Sequence, residues 1–250
     1  GDATIALGKE NWAQGASTVA IGFKNHAAGA GSVALGQENI AWGTTNFTSG
    51  YQNKAGNVNA AVGTAGSATA IGAGTTASGR SSFSANKNTT ASNHASAALG
   101  LSTTADNFGM LAIGVNNAAG IGDTSIDPEN YEGYYYADGQ YTDSPIGVAF
   151  VIGNGDVDTS TGLAGSKSSN AFIVNYDGSA TLSGDLTINS DARLKSNIIS
   201  LGSTLAKLLM IDGKSYTMKA NESKSKIGLL AQDVQKAFPE LVKTANDSNQ

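Results

Sequence analysis

Along the first half of the chain, small and aliphatic residues alternate between markers that fall every seventh residue. Gly occupies positions 8, 15, 22, 29, 36, 43 and 50, and after an irregular stretch at 57–66 the period resumes as Gly72, Gly79, Asn86, Asn93, Gly100, Asn107 and Gly114. Gly and Asn take positive φ most readily, so the period is read as a turn. Two kinds of heptad alternate. One ends in Thr4-Ile5-Ala6-Leu7-Gly8, Thr18-Val19-Ala20-Ile21-Gly22, Ser32-Val33-Ala34-Leu35-Gly36 and Met110-Leu111-Ala112-Ile113-Gly114. The other sets Ala two residues before the turn, at Ala13, Ala27, Ala41, Ala55, Ala77, Ala91 and Ala105, so the true unit is fourteen residues.

A seven-residue period usually signals a coiled coil, but Gly or Asn in a helix interior costs roughly 0.5–1 kcal/mol each and the apolar a/d seam is missing. β-branched residues beside small ones predict short strands instead, two per coil with two turns, stacked as a solenoid. Inward positions filled by Ala and one Ile, Leu or Val enclose almost no volume. The rows Ile5, Val19, Val33 and Leu7, Ile21, Leu35 are therefore expected to be buried against other copies of the chain. The expected fold class is mainly β: a β-roll of 14-residue coils over 1–117, assembled as a homo-oligomer, with a trimer favoured.

The pattern breaks at 116–147 with Ile126-Asp127-Pro128-Glu129-Asn130-Tyr131 and then Tyr134, Tyr135, Tyr136 and Tyr141. This Tyr-rich loop could bind a glycan, or Ca²⁺ through Asp123, Asp127 or Glu129, but no regular oxygen-ligand spacing supports the cation. Packing on its own trimer is the preferred reading. From Gly147 onward, Val148-Ala149-Phe150-Val151-Ile152, Ala171-Phe172-Ile173-Val174 and Leu186-Thr187-Ile188, with Asn154-Gly155 and Asp177-Gly178 between them, predict a small β neck, assigned to 118–188. Beyond Ile188 the apolar residues take helical spacing. Ser203 is the expected cap of a helix carrying Leu205, Leu208 and Leu209, and Leu230, Val234 and Phe238 mark a second helix stopped by Pro239. Residues 189–250 thus read as a small α+β module.

Composition narrows this further. With 32 Gly, three Pro and only 14% charged residues, the 40% hydrophobic content rests heavily on Ala. A net charge of −5 without a basic stripe speaks against nucleic acid or anionic membrane as a partner. The chain has no Cys, so disulfide and thiol chemistry are out. No run approaches the ~20 apolar residues of a membrane helix. The repeat is already under way at residue 1, with no start Met, so the chain is expected to be part of a longer protein.

The alternation of Val-Ala-Ile-Gly with Ala-x-Gly resembles the head repeat of trimeric autotransporter adhesins, which implies a left-handed trimeric β-roll with a surface-binding role. The same repeat occurs in phage and other surface fibres. The later motifs Asn189-Ser190-Asp191-Ala192-Arg193-Leu194-Lys195-Ser196-Asn197-Ile198 and Gly228-Leu229-Leu230-Ala231-Gln232-Asp233-Val234-Gln235, through Phe238-Pro239-Glu240-Leu241-Val242, resemble the C-terminal intramolecular chaperone of phage tail spikes, tail fibres and endosialidases. The resemblance implies trimerisation, assistance to the folding of the preceding fibre, and self-cleavage at a Ser-Asp bond. Chain 189–250 stops before that family's closing strand and long helix.

Carried over residue by residue, Ser190 is the family's serine, Asp191 the first residue of the released piece and Lys195 the base of a Ser-Lys dyad. A serine hydroxyl is a weak nucleophile until a base takes its proton, and Lys serves only when burial or a second cation lowers its pKa. Arg193 is the candidate second cation, or a donor to the developing oxyanion. Attack by Ser190 on its own carbonyl would close a four-membered ring, so either Ser190 of another subunit attacks or the dyad positions a water. The competing structural reading makes Ser190-Asp191 a helix cap and Lys195 and Arg193 solvated charges.

No cofactor or metal site is expected. Gly153-Asn154-Gly155 is not a phosphate loop, since no helix pattern follows it, and His26 and His94, without partners at ligand spacing, are expected on the surface of the roll. These readings converge on a phage tail fibre or related surface fibre, located on the virion or the cell surface, that binds itself and a host receptor, either a glycan or an outer-membrane protein. The alternatives are a bacterial trimeric adhesin that is not cleaved, and a fibre accompanying a glycan depolymerase. The roll shows no paired carboxylates and is nearly free of Glu between 39 and 128, which disfavours the depolymerase.

Overall fold

The computed structural model describes residues 3–57, 66–121, 147–187, 191–200, 202, 204–218 and 221–242. The expected Tyr131–Tyr141 loop, Asp123, Asp127, Glu129, Ser190 and Ser203 lie outside the described residues. The chain divides into two compact units, Gly1–Leu186 and Thr187–Gln250.

The first unit is a β-solenoid. Each coil contributes one five-residue strand (Ile5–Lys9, Val19–Phe23, Val33–Gln37, Phe47–Tyr51, Thr69–Ala73, Phe83–Lys87, Ala97–Leu101, Leu111–Val115). All but the last coil add a two-residue strand, from Trp12–Ala13 and His26–Ala27 up to Thr104–Ala105. Long strands stack in parallel on long strands, and short on short, and in the regular coils each residue pairs with the one fourteen positions on: Ile5 with Val19, Val19 with Val33, Trp12 with His26. The long-strand sheet continues without a break into Val148–Asn154, which pairs in parallel with Leu111–Val115, and then turns antiparallel through Asn170–Asn175 and Ala180–Leu182.

The space between the two sheets is lined by Ala. Ala20, Ala34, Ala70, Ala98 and Ala112 of the long strands face Ala27, Ala41, Ala55, Ala77, Ala91 and Ala105 of the short ones, all fully buried. This corrects one expectation: among the described residues no Ile, Leu or Val of the repeat lies in the Ala-lined space, and apart from Ile40 on a short strand the large aliphatic residues lie on the outer face of the long sheet. Only at the top does the core widen, where Met110, Val148 and Val151 join Ala105 and Ala112.

The seven-residue ladder also divides into two kinds of position. Gly8, Gly22, Gly36, Gly50, Gly72, Asn86, Gly100 and Gly114 hold positive φ, and they sit inside the long strands rather than in turns. At Gly22 a Cβ would fall 2.0 Å from the Gly36 carbonyl oxygen, so close stacking of coils adds to the conformational demand. Of the others, Gly43 also holds positive φ, whereas Gly15, Gly29 and Gly79 do not and are small because the next coil lies against them; at Gly29 a Cβ would stand 1.9 Å from Gly43 O. The left-handed residues that reverse the chain are elsewhere, at Glu10, Lys24, Glu38, Gln52, Asn88 and Ser102, and at Ser17, Thr45, Ser81 and Ala95.

A column of polar side chains runs up the interior at one corner. Asn39 Nδ2 serves Asn25 Oδ1 at 3.0 Å, Leu35 O at 2.8 Å and Gly50 O at 2.8 Å, while Asn39 Oδ1 accepts from Asn53 N and Nδ2, both at 3.0 Å. The same contacts link Asn11 to Asn25 and Asn53 to Asn39, and Thr75 takes over by donating N–H and Oγ–H to Asn53 Oδ1. Each amide satisfies its own turn and the coil above, which is why Asn25, Asn39 and Asn53 tolerate complete burial.

The coil count is interrupted twice. Gly50 pairs with Gly72, a step of 22 residues, and Gly114 pairs with Gly153, a step of 39. The extra eight residues enter between Asn57 and Gly66, the extra 25 between Ile121 and Gly147. Both points are the seventh residue after the in-strand glycine, so both insertions join the roll at the same corner, and neither shifts the ladder.

The second unit holds a 3-10 turn at Ala192–Leu194, a helix at Leu205–Leu208, the antiparallel pair Lys214–Met218 and Asn221–Gly228, a helix at Ala231–Ala237 and a 3-10 turn at Pro239–Leu241. The first helix starts one residue later than expected: Thr204, not Ser203, is its N-cap, and makes no side-chain capping bond. Leu230 and Phe238 bracket the second helix as its two caps.

Two outcomes are expected. Asn39→Ala strips partners from buried groups of two coils and should cost about 3 kcal/mol or more by thermal or denaturant unfolding, whereas Asn11→Ala, at the exposed end of the column, should cost about 1 kcal/mol. Removing residues 58–65 restores the 14-residue step, and the shortened chain should fold with an unchanged or raised melting temperature, read by circular dichroism.

Candidate functional site

The motif around the expected scissile bond begins where Asp191, in extended backbone, caps the 3-10 turn. Its Oδ1 accepts the Arg193 N–H at 2.8 Å, and Lys195 N closes the turn on Ala192 O at 3.1 Å. The Arg193 side chain folds back onto the same carboxylate, with Nε donating to both Asp191 oxygens at 3.1 Å and Nη2 to Oδ2 at 2.6 Å. The Arg193 side-chain bonds, then its backbone N–H, hold the Asp191 carboxyl below the usual carboxylate range, and Asp191 in turn raises the guanidinium. Both groups are solvent-exposed, so the pair orders the turn more than it stabilises the fold.

Of the expected catalytic set, Asp191 and Arg193 are brought together, and Lys195 follows on the same turn, exposed. The guanidinium spends its charge on Asp191.

The later motif forms the only well-buried part of this unit among the described residues. Ala237 and Phe238 are buried, Lys207 Nζ lies 5.5 Å from the centre of the Phe238 ring, and Gly228 packs against Tyr216, where a Cβ would meet the hydroxyl at 3.3 Å. Around it the unit exposes Leu194, Ile198, Ile199, Leu205, Leu208, Leu209, Met210, Ile227 and Leu241; Ile227 is 87% exposed. Apolar exposure on this scale marks a surface for association.

The roll contains a cluster that residue types and spacing did not suggest. His26, expected as a simple surface residue, is half-buried: its ring stacks on Trp12 at 4.6 Å with 6° between planes, meets Trp42 edge-on at 5.6 Å, and approaches Gln14 Oε1 at 3.5 Å. Trp12 and His26 are register partners in the short-strand sheet, and Trp42 is the second residue after Ile40, the next partner up. The signal was present in the fourteen-residue phase but not in any motif. His94 is half-buried on the same roll. Among the described residues no group of three or more His, Cys, Asp or Glu is placed to hold a metal ion, and no helix is long and apolar enough to cross a membrane.

Two family models match the chain. The model described as YadA head domain repeat matches twice, over residues 1–25 and 13–39, and that described as Chaperone of endosialidase matches residues 190–243. No curated protein matches the chain. The matches agree with the resemblances read from the two motifs, head repeats first and chaperone second, and the structure carries the same fourteen-residue coil well beyond residue 39, to Val115.

His26 supplies a pH test. Burial lowers its pKa below 6.5, so the unfolded chain takes up the proton first. Stability from this residue is complete above the unfolded value and declines as pH falls below 6.5 through the folded one. The melting temperature should drop over that window, the drop should shrink in His26→Gln, and emission from Trp12 and Trp42, the chain's two tryptophans, should follow the same titration.

Proposed function

We propose that the chain is part of a homotrimeric surface fibre that attaches a phage tail, or a related particle or cell, to a host-surface glycan or outer-membrane protein. In this reading, residues 1–117 form the head roll, 118–188 the neck and 189–250 the chaperone that gathers and folds three copies. The observation that carries it is the outward aliphatic row on a roll whose own core is mostly Ala: Ile5 is 51% and Leu7 62% exposed, with Val19, Ile21, Val33 and Leu35 half-buried above them. Burying an aliphatic side chain of this size is worth about 1.5–3 kcal/mol, and the roll repeats the opportunity at every coil. The chaperone match immediately after the fibre supports the same assembly.

The proposed self-cleavage breaks the Ser190–Asp191 peptide bond. A hydroxyl from Ser190 of another copy, or a water, adds to the Ser190 carbonyl while neutral Lys195 accepts its proton. The tetrahedral intermediate then expels the Asp191 amine, which leaves protonated. In the serine route water hydrolyses the resulting ester. Cutting then occurs only where chains have met, which makes it a readout of assembly. A second reading, a bacterial trimeric adhesin that is never cut, is favoured by the head-repeat match and by the closed Asp191–Arg193 pair.

Mass spectrometry of the purified full-length product decides between them. The cleaving fibre gives a trimer whose chains end at Ser190, and Ser190→Ala or Lys195→Ala should leave at least 90% of chains intact, by a loss of rate of roughly 10²-fold or more. A trimer uncut in the parent protein supports the adhesin, and a monomer removes both.

A further inference from the structure

The outer face of the short-strand sheet carries two columns of side chains. Ala13, Ala27 and Ala41 turn into the roll, so the residues on either side of them turn outward. One column runs through Trp12, His26 and Ile40 and continues as Lys54, Thr76 and Thr90, each in register with the next. The other runs through Gln14, Ala28 and Trp42 and continues as Gly56, Ser78 and Ser92, whose N–H groups each donate to the Ala carbonyl one coil up.

The upper coils show that the fold demands nothing large at these positions, since Thr76 with Ser78 and Thr90 with Ser92 fill them and stay half-exposed. The first three coils instead gather two indoles and an imidazole. Trp12, stacked on His26, is 59% exposed. Trp42 meets the other ring of that stack edge-on, and Ala28, beside it in the second column, is only 2% exposed. Gln14 stands at the rim, its Oε1 3.5 Å from His26 Nε2. The six outward positions of these coils hold no Asp, Glu, Lys or Arg. Aromatic surface kept at the solvent boundary where Thr and Ser suffice marks a place of contact.

We infer that this patch binds a neutral oligosaccharide, which lays the C–H face of one sugar ring on the Trp12 indole and turns its hydroxyls to the Gln14 amide and the His26 imidazole. This rests on the host-glycan reading proposed above and supplies its site. Two other ligand types fit the geometry less well. A proline-rich segment docks in a groove between aromatic side chains, and Trp12 and His26, stacked on each other at 4.6 Å, leave no groove between them. An organic cation calls for rings that face one common point, whereas these two face each other. A neutral sugar asks for one apolar face beside groups that donate and accept, and the patch offers both without a charge to desolvate. It also lies on the opposite side of the roll from the aliphatic rows, so self-association through those rows leaves it open.

The test applies the full-length protein, its oligomeric state checked by light scattering, to an array of neutral and acidic oligosaccharides. Neutral glycans should be bound. Trp12→Ala should weaken that binding roughly tenfold or more at an unchanged melting temperature, Trp12→Phe should retain most of it, and Ser92→Ala, higher on the same sheet, should change nothing. In Trp42→Phe the only indole left is Trp12, and titration with the bound glycan should shift its emission to saturation. Should Trp12→Ala lower the melting temperature, the exposed Gln14 replaces it as the probe, and Gln14→Ala should weaken binding by about fivefold, the loss of one hydrogen bond. Equal binding by the parent and these variants overturns the site while the glycan reading stands. Binding confined to acidic glycans, or decaproline shifting the Trp12 emission where glycans do not, overturns the choice of a neutral sugar. An oligomer that binds no arrayed glycan removes the glycan reading together with its site.

Discussion

Everything in the roll depends on the width of a fourteen-residue coil. With five residues in one strand and two in the other, the two sheets come so close that only small residues fit between them, Ala20 against Ala27 and Ala34 against Ala41, with Thr48 and Ser84 in the same inward row. An interior of this kind buries little apolar area per residue, far less than Leu or Phe would bring. The large aliphatic residues are displaced to the outer face of the long sheet, where a lone chain leaves Ile5, Leu7, Ile71 and Phe83 substantially exposed. The narrow coil and the apolar exterior are one fact seen from two sides, and together they turn a fold into an assembly problem.

A core made almost wholly of Ala has a second consequence: it specifies register weakly. Ala against Ala is equally content one coil up or down, so specificity has to come from polar groups with directional partners. The Asn11, Asn25, Asn39 and Asn53 column supplies it, each amide binding its own coil and its neighbour. The column then carries the ladder across the eight extra residues, since Thr75 donates to Asn53 Oδ1 over a separation of 22 residues just as Asn53 donates to Asn39 over fourteen. Asn46 does the same on the other side, accepting Ala68 N at 2.7 Å. Where the column changes to Thr it is less complete: the buried Thr103 hydroxyl has no hydrogen-bond partner. Polar burial here holds register at some cost in stability.

This division explains what was legible in the residues. The fourteen-residue coil, its parallel stacking and the outward aliphatic rows could be read because they repeat. The function of the glycines was read only in part, since positive φ at Gly22 and close approach at Gly29 place the same residue type in the string for different reasons. The true reversals were invisible: Glu10, Lys24 and Thr45 adopt left-handed backbone although nothing in their side chains announces it, because the ladder bonds on either side hold them there. The Trp12–His26–Trp42 stack was missed because its members lie fourteen and sixteen residues apart, a distance that becomes contact only once coils are superposed. At Ser190–Lys195 the motif was legible, but not the fact that Arg193 turns back on Asp191.

The second unit has the inverse problem to the roll. Its helices are short, four and seven residues, and it exposes Leu208, Leu209, Ile227 and Leu241 around the small buried pair Ala237 and Phe238. Isolated helices of such length are not stable in water, so packing has to hold them. Neither unit, then, covers its apolar surface within one chain. A parallel solenoid made of non-local pairings forms slowly and leaves strand edges open while it does, and partly stacked coils with an aliphatic face invite out-of-register capture. In the assembly proposed above, association of the second unit before the coils stack would bring copies together while their aliphatic faces are still open, so that the faces meet each other rather than a partly folded stranger.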